Sequence, residues 1–357
     1  MRNTHESPKK VIVDGDFGPD ELFLKACLLT RDEVSIQGLT ATFGNVDLPS
    51  VLENARRVCG FLEADEMRIF KGAATPSNLE QRLLSDGAFP FIEILPSPEG
   101  LSLQRQSAVD FILETLEKNP PGTVTMTASG PLTNIATALR QDREMMRKIG
   151  RLIIMGGCTV SVPGKDMMWR RGNITPHAEF NFQQAALDAK EVMSSGLPIT
   201  LLPMNCTHQL TFTPSRHDHI KELFKGDERL LRALLGVKDI QNRKVPPHEA
   251  DANDRGLFNQ PAHLDMGKFG LDPVLHDVNC ALFMLYPEMY ERRRGRITVE
   301  LHEGVLDNET VWGSRQGRTE FTPDSTSNLE VAIRIKEPDF LFGTIATSLR
   351  ALLREAA

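Results

Sequence analysis

The sequence predicts an α/β fold, a single domain over residues 1–357 whose mostly parallel sheet is flanked by helices in an open, Rossmann-type core. Three observations carry this. Short β-branched runs alternate with helical segments along most of the chain, polar clusters follow directly on those runs, and neither an internal repeat nor a break in composition divides the sequence. In an open parallel sheet the carboxyl ends of the strands line one crevice, so those polar clusters are expected to converge there.

The elements follow in order. After a polar tail, residues 1–9, the run Val11-Ile12-Val13 reads as a buried strand, and the segment after Glu21 reads as a helix. Residues 34–42 form a second strand ended by Phe43-Gly44-Asn45, and Pro49 opens a helix from Ser50 to Leu62. Residues 67–70 make a third strand, and the stretch from about 78 to 100, rich in Pro, Ser and Gly, reads as a mobile surface loop. Residues 123–128 are strand, 129–131 a turn, 132–140 helix and 152–155 strand, stopped by Gly156-Gly157. A helix is expected over 183–194, a strand over 199–202 and two helices within 214–241. Residues 242–272 lack periodicity and read as a second long loop. A helix over 278–285, strands near 296–301 and 329–335 and a closing helix over 339–353 complete the chain.

Composition narrows the function. Lys plus Arg number 41 against 48 for Asp plus Glu, a net charge of −7, and no basic cluster is longer than Arg292-Arg293-Arg294. Nucleic acid and anionic membrane are therefore poor partners, and a small molecule is the better one. The five cysteines are scattered without a CxxC pair, which favours buried thiols in a reducing compartment. No apolar run reaches the ~18 residues that a membrane span needs, so a cytoplasmic location is expected.

The stretch Asp14-Gly-Asp16-Phe-Gly-Pro-Asp20-Glu21 puts four carboxylates on one turn at the end of a buried strand. Asp20 and Glu21 suit a helix N-terminus, but Asp14 and Asp16 have no such purpose. Like charges that close repel unless a cation neutralises them, so the set reads as a hard-metal site with oxygen ligands. The segment Gly172-Asn173-Ile-Thr-Pro-His-Ala-Glu179-Phe-Asn181 packs two carboxamides and a carboxylate into one loop, which suits a hydroxyl-rich ligand such as a sugar. Asn45 taken alone could be a turn residue, and His276 alone a core histidine.

Taken together, Asp14 to Glu21, Gly44-Asn45-Val46, Ser129 to Asn134, Ile154 to Gly157, Gly172 to Pro176, Glu179-Phe-Asn181, Thr207-His208 and His276-Asp277 resemble the ordered motif series of the inosine-uridine-preferring nucleoside hydrolases. The resemblance runs from about residue 10 to 280 and continues weakly beyond. It implies an N-ribohydrolase with one Ca2+ per subunit, bound by Asp16, Glu21, the Ser129 carbonyl and Asp277, with Asp14 standing behind them. It makes Asp16 the base that takes a proton from water, and it gives Asp20, Asn45 and Asn181 to the ribose 2′- and 3′-hydroxyls. Asn173 and Glu179 would grip the 5′-hydroxyl, Met155 would lie beside the sugar, and His276 would assist departure of the base. Family members are often dimers or tetramers, so a homo-oligomer is expected.

This sequence departs from that pattern in four places. Glu21 stands where the family has a second Asp, and is one methylene longer, so reaching the ion is expected to need a shift of backbone or ion. The first mobile loop reads Leu83-Leu-Ser-Asp86-Gly87, without the histidine that many members carry before Asp-Gly. Asn205 and Gln183-Gln184-Ala185 replace an Asp and an Asp-Pro. Lys165, Arg170 and Arg171 crowd the loop from Cys158 to Arg171, which suits either a solvated surface or a 5′-substituted nucleoside. Two other classes stay open: an aspartyl-phosphate phosphatase, whose Asp-x-Asp the chain shares but whose following Thr or Val it lacks at Gly18, and a nucleoside-binding relative impaired by Glu21.

Overall fold

Alternation along the first strand sorts its side chains to opposite faces: Val11 and Val13 join one buried core and Ile12 the other. The computed structural model describes residues 7–18, 20–77, 95, 101–159, 172–173, 175, 177–225, 274–302 and 314–354. The long loops expected over 78–100 and 242–272, most of the loop over 158–171 and the second helix expected within 214–241 lie outside those residues, apart from Leu95.

The chain builds β1 (Lys9–Gly15), α1 (Glu21–Leu29), β2 (Val34–Ala41), α2 (Leu48–Phe61), β3 (Ile69–Lys71), β4 (Leu103–Ser107), α3 (Ala108–Glu117), β5 (Val124–Ala128), α4 (Thr133–Gln141), the short α5 (Arg143–Met146) and β6 (Arg151–Met155). It continues through α6 (Phe180–Gln184), α7 (Ala186–Met193), β7 (Ile199–Leu202), the short α8 (Met204–Thr207), α9 (Pro214–Leu223), α10 (Val278–Leu285), β8 (Tyr290–Val299), β9 (Thr319–Pro323), β10 (Leu329–Ile335) and α11 (Pro338–Arg354). Capping follows local chemistry. Asp47 accepts from Ser50 N at 3.0 Å to start α2, and Ser107 accepts from Asp110 N at 3.1 Å to start α3.

The strands form one sheet in the order β4-β3-β2-β1-β5-β6-β7-β10-β8-β9. Pairing is parallel from β4 through β10, and β8 pairs antiparallel with β10 and with β9. The first half of β8 lies against β10 and its second half against β9. From β1 the chain winds outward to β4, then returns to place β5 on the other side of β1. The crevice beyond the ends of β1 and β5 is thus the switch point where such sheets bind ligands. One core packs α1, α2, α10 and α11 on one face, and the second packs α3, α4 and α7 on the other.

Several elements differ from expectation. β4, with α3 behind it, was not foreseen, because Leu103-Gln-Arg-Gln-Ser is an edge strand, largely exposed, with no apolar alternation. β9 is equally short, and its last two residues are exposed. β8 starts at Tyr290 rather than near Arg296, so it contains the arginine run; Arg292 and Arg294 reach across to Glu330 on β10 at 3.1 and 3.5 Å. The helix expected over 183–194 divides at Ala185, whose non-helical backbone separates α6 from α7. All five cysteines are buried and none forms a disulfide.

Candidate metal centre and sugar-side network

The turn after β1 has an unusual backbone: Phe17 sits at φ +48°, in the left-handed region, and its carbonyl is held by Asn54 Nδ2 at 3.2 Å. This carries the chain sharply from Asp16 towards α1. Gly44 makes the turn possible from the other side, because a Cβ there would lie 2.0 Å from Asp16 Oδ2. Asp16 Oδ2 instead accepts from both the backbone N and the Nδ2 of Asn45, each at 2.9 Å. Burial, then the charge on Glu21, pushes the Asp16 carboxyl up to about 8, against the Asn45 bond.

Asp16, Glu21 and Asp277 each offer a carboxylate oxygen, and those atoms all lie within 4.8 Å of one another. All three side chains are buried. Asp277 reaches the cluster from the start of α10. Asp20 positions it, since Asp20 Oδ2 accepts from the backbone N of His276 and of Asp277, both at 2.9 Å. Burial pushes Asp277 well above the usual carboxylate range, and Asp20, Glu21 and Asp16 push it further in that order. Asp14 lies behind the cluster: its Oδ1 accepts from Thr40 Oγ1 at 2.6 Å and Asn134 Nδ2 at 2.8 Å, while its buried Oδ2 has no partner. Burial raises Asp14 to about 7, against those two bonds.

A divalent cation fits this set. The donors are all oxygens, they are close enough to share one ion, and their mutual charge holds their protons on unless something positive sits between them. Glu21 finds room for its extra methylene beside Gly15. Its longer side chain occupies the space over Gly15, where a Cβ would come within 1.8 Å of Glu21 Oε1. That oxygen accepts from the Ser129 hydroxyl, and Oε2 faces Lys25 Nζ at 3.4 Å.

The residues expected at the sugar adjoin this centre through hydrogen bonds. Asn181 Nδ2 donates to the Ser129 carbonyl at 2.9 Å and lies 3.4 Å from the Met155 carbonyl. Glu179 caps α6, accepting from Asn181 N at 2.8 Å and Phe182 N at 3.2 Å, and it also takes Gly157 N at 2.8 Å. Burial raises it to about 7 despite those donors. Asn173 Oδ1 accepts from Phe180 N at 2.9 Å. Several expected sugar contacts therefore also serve as struts: Asn45 to Asp16, Asn181 to Ser129 and Asp20 to α10.

Burial pushes the His276 imidazole down to about 4, only partly offset by Asp20, which favours the neutral ring near pH 7. Its Nδ1 lies 2.7 Å from Thr207 Oγ1, and its ring centre is 5.2 Å from that of His208.

Three residues were missed as site residues at the sequence level. Thr40 and Asn134 hold Asp14; Thr40 carries no distinguishing pattern on its strand, whereas Asn134 closes the Ser129-to-Asn134 motif, which gave it no role of its own. Lys25 did carry one: it is the single charge inside Leu22-Phe-Leu-Lys25-Ala-Cys-Leu-Leu29, four residues after Glu21.

Comparison with known proteins shows the family and the fold. The family model described as inosine-uridine preferring nucleoside hydrolase matches residues 11–341. The pyrimidine-specific ribonucleoside hydrolase RihB of Escherichia coli (strain SMS-3-5 / SECEC) is 30% identical over 349 residues, 97% of this chain and 98% of that protein. Probable uridine nucleosidase 2 of rice, Oryza sativa subsp. japonica, is 26% identical over 341 residues, 91% of each chain. Among solved structures, a purine-preferring ribonucleoside hydrolase from Gardnerella vaginalis shares the fold at a TM-score of 0.73 and 22% identity, covering 96% of this chain and 99% of that one. With an ordered match over nearly its whole length, the chain belongs to the inosine-uridine preferring nucleoside hydrolase family.

Proposed function

We propose that the chain hydrolyses the N-glycosidic bond of ribonucleosides, releasing free base and ribose, at a single Ca2+ held by Asp16, Glu21, Asp277 and the Ser129 carbonyl. The observation that carries this reading is the convergence of three buried carboxylates on one point at the switch of the sheet. When bound, a divalent cation supplies Lewis acidity that makes water a nucleophile near neutral pH.

The rest of the chemistry belongs to the chain. Asp16, fixed by two donors on one oxygen and raised in basicity by burial, takes the proton from the attacking water. Asp20, Asn45 and Asn181 receive the 2′- and 3′-hydroxyls, Asn173 and Glu179 the 5′-hydroxyl, and Met155 packs beside the ring. The carboxylates stabilise positive charge as the ribosyl group gains oxocarbenium character. His276, neutral, uses Nδ1 with Thr207 and keeps Nε2 for the departing base. The five buried thiols suit a cytoplasmic enzyme.

Related proteins are named for uridine, pyrimidine and purine nucleosides, so the assay spans these classes. Purified protein is given inosine, uridine and 5′-modified analogues, with and without chelator, and reducing sugar is measured. Ribose release that chelator abolishes and calcium restores is expected. Release indifferent to chelator overturns the calcium reading, and tight binding without release identifies a binder.

A further inference from the structure

Lys25 lies on α1, whose residues 21 to 28 are all buried, and it is 2% exposed. Its ammonium lies 3.4 Å from Glu21 Oε2 and 3.9 Å from the centre of the Phe17 ring. A buried ammonium is costly unless a counter-charge and an aromatic face replace its water, and this one has both. Glu21 is held equally firmly, with Oε1 under the Ser129 hydroxyl and in the space that a Cβ on residue 15 would fill. Gly15, Glu21 and Lys25 therefore work as one unit: a carboxylate longer by one methylene, a vacant position that houses it, and a cation that holds it in place.

We propose that Lys25 is a positioning residue of the cation site, a fixed internal charge that seats Glu21 over Gly15 and weakens the hold of the carboxylates on a divalent cation. This deepens, and rests on, the reading of Asp16, Glu21 and Asp277 as that site. The ammonium offsets one of the three negative charges and repels an incoming cation through a water-poor interior, where charges act more strongly than in water. The same charge supports the cation-free fold. The site thus holds its ion less tightly than the same carboxylates would without the lysine.

Calcium chloride is titrated calorimetrically into chelator-stripped wild type, Lys25→Met and Lys25→Arg, and thermal unfolding of each is followed with and without calcium. Lys25→Met is expected to bind calcium at least about tenfold more tightly, given the strength of charge interactions in such surroundings. Its cation-free melting temperature should fall, with the deficit shrinking at saturating calcium, while Lys25→Arg stays near wild type. Lys25→Gln, neutral but still able to hydrogen-bond Glu21, gives the same readout if the methionine variant does not fold. Equal or weaker calcium binding by the neutral variants, beside measurable binding by wild type, overturns the role of Lys25 alone. No calcium binding by any protein of the series overturns the cation site and this proposal with it.

Discussion

Replacing Gly15 by alanine puts a methyl group 1.8 Å from Glu21 Oε1 and 2.8 Å from Ser129 Oγ. Comfortable contact begins near ~3.5 Å, so one partner must move. The backbone of Gly15 is held in register against Ala41 of β2, which leaves the Glu21 side chain to give way. Its withdrawal loses the Ser129 hydroxyl bond and disturbs the Lys25 pair. Hydrogen bonds to charged groups contribute about 1.5–3 kcal/mol, and overpacking adds about 1–3 kcal/mol. Gly15→Ala is therefore expected to cost about 3–5 kcal/mol. Glu21→Asp alone pulls the carboxylate back from the same partners and costs about 2–3 kcal/mol. In the double variant the alanine methyl fills the space that the missing methylene leaves. The double variant should be more stable than the sum of the singles by about 1.5 kcal/mol or more, within the range seen for residues in contact. Urea unfolding of all four proteins in chelator at pH 7, extrapolated to water, measures this coupling. Additivity within about 0.5 kcal/mol would refute the idea that Gly15 houses the longer acid.

The remaining predictions concern titration and turnover. In chelator, stability should fall from about pH 6.5 to about 8.5: Asp14 and Glu179 sit at about 7 and Asp16 at about 8, so the folded state holds protons that the unfolded chain, with carboxyls near 4, has released. Stability from these groups is full below the unfolded value and is lost as pH rises through the folded ones. His276, lowered to about 4, acts with the opposite sign, but its effect is complete by the unfolded histidine value of about 6.5. Urea midpoints across that window test this, with calcium expected to flatten the slope; a rise with pH in chelator would contradict it. Gly44→Ala, whose methyl would lie 2.0 Å from Asp16 Oδ2, should cut kcat about a hundredfold or more by displacing the base. Activity within about twofold of wild type would count against Asp16 in that role. Thr207→Val removes the hydroxyl 2.7 Å from His276 Nδ1 and should slow nucleoside hydrolysis about tenfold or more while sparing a nitrophenyl riboside, whose leaving group needs no proton. Equal loss on both substrates would assign His276 a structural role.

Much of the scaffold was legible because it rests on local periodicity. Val11-Ile-Val13, Leu152-Ile-Ile-Met155 and Ile199-Thr-Leu-Leu202 are short runs of strand-forming residues buried on both faces, and the expected helix over 278–285 is the one observed. β4 and β9 lacked that signal, since edge strands face solvent and carry polar residues. The run Arg292-Arg293-Arg294 fell outside the strand expected near Arg296, yet it lies within β8, where Arg292 and Arg294 pair with Glu330 on the neighbouring strand. The site was legible as a set of polar residues at strand ends. Which oxygen each donor would take was not, because Asn45 and Asn181 have donors enough for sugar or for protein, and only their neighbours decide.

By itself the sequence determined the α/β alternation, the end of the sheet at which the polar clusters gather, and the residue types found there. These follow from side-chain period and charge, which act within a few residues. The tertiary structure alone decided that Asp20 and Asp277, 257 positions apart, share a hydrogen bond, that Glu21 finds its space over Gly15, and that Lys25 turns inward to meet it. Those contacts depend on strand order and on the angle at which α1 and α10 meet the sheet, and packing sets both over distances that local pattern does not encode.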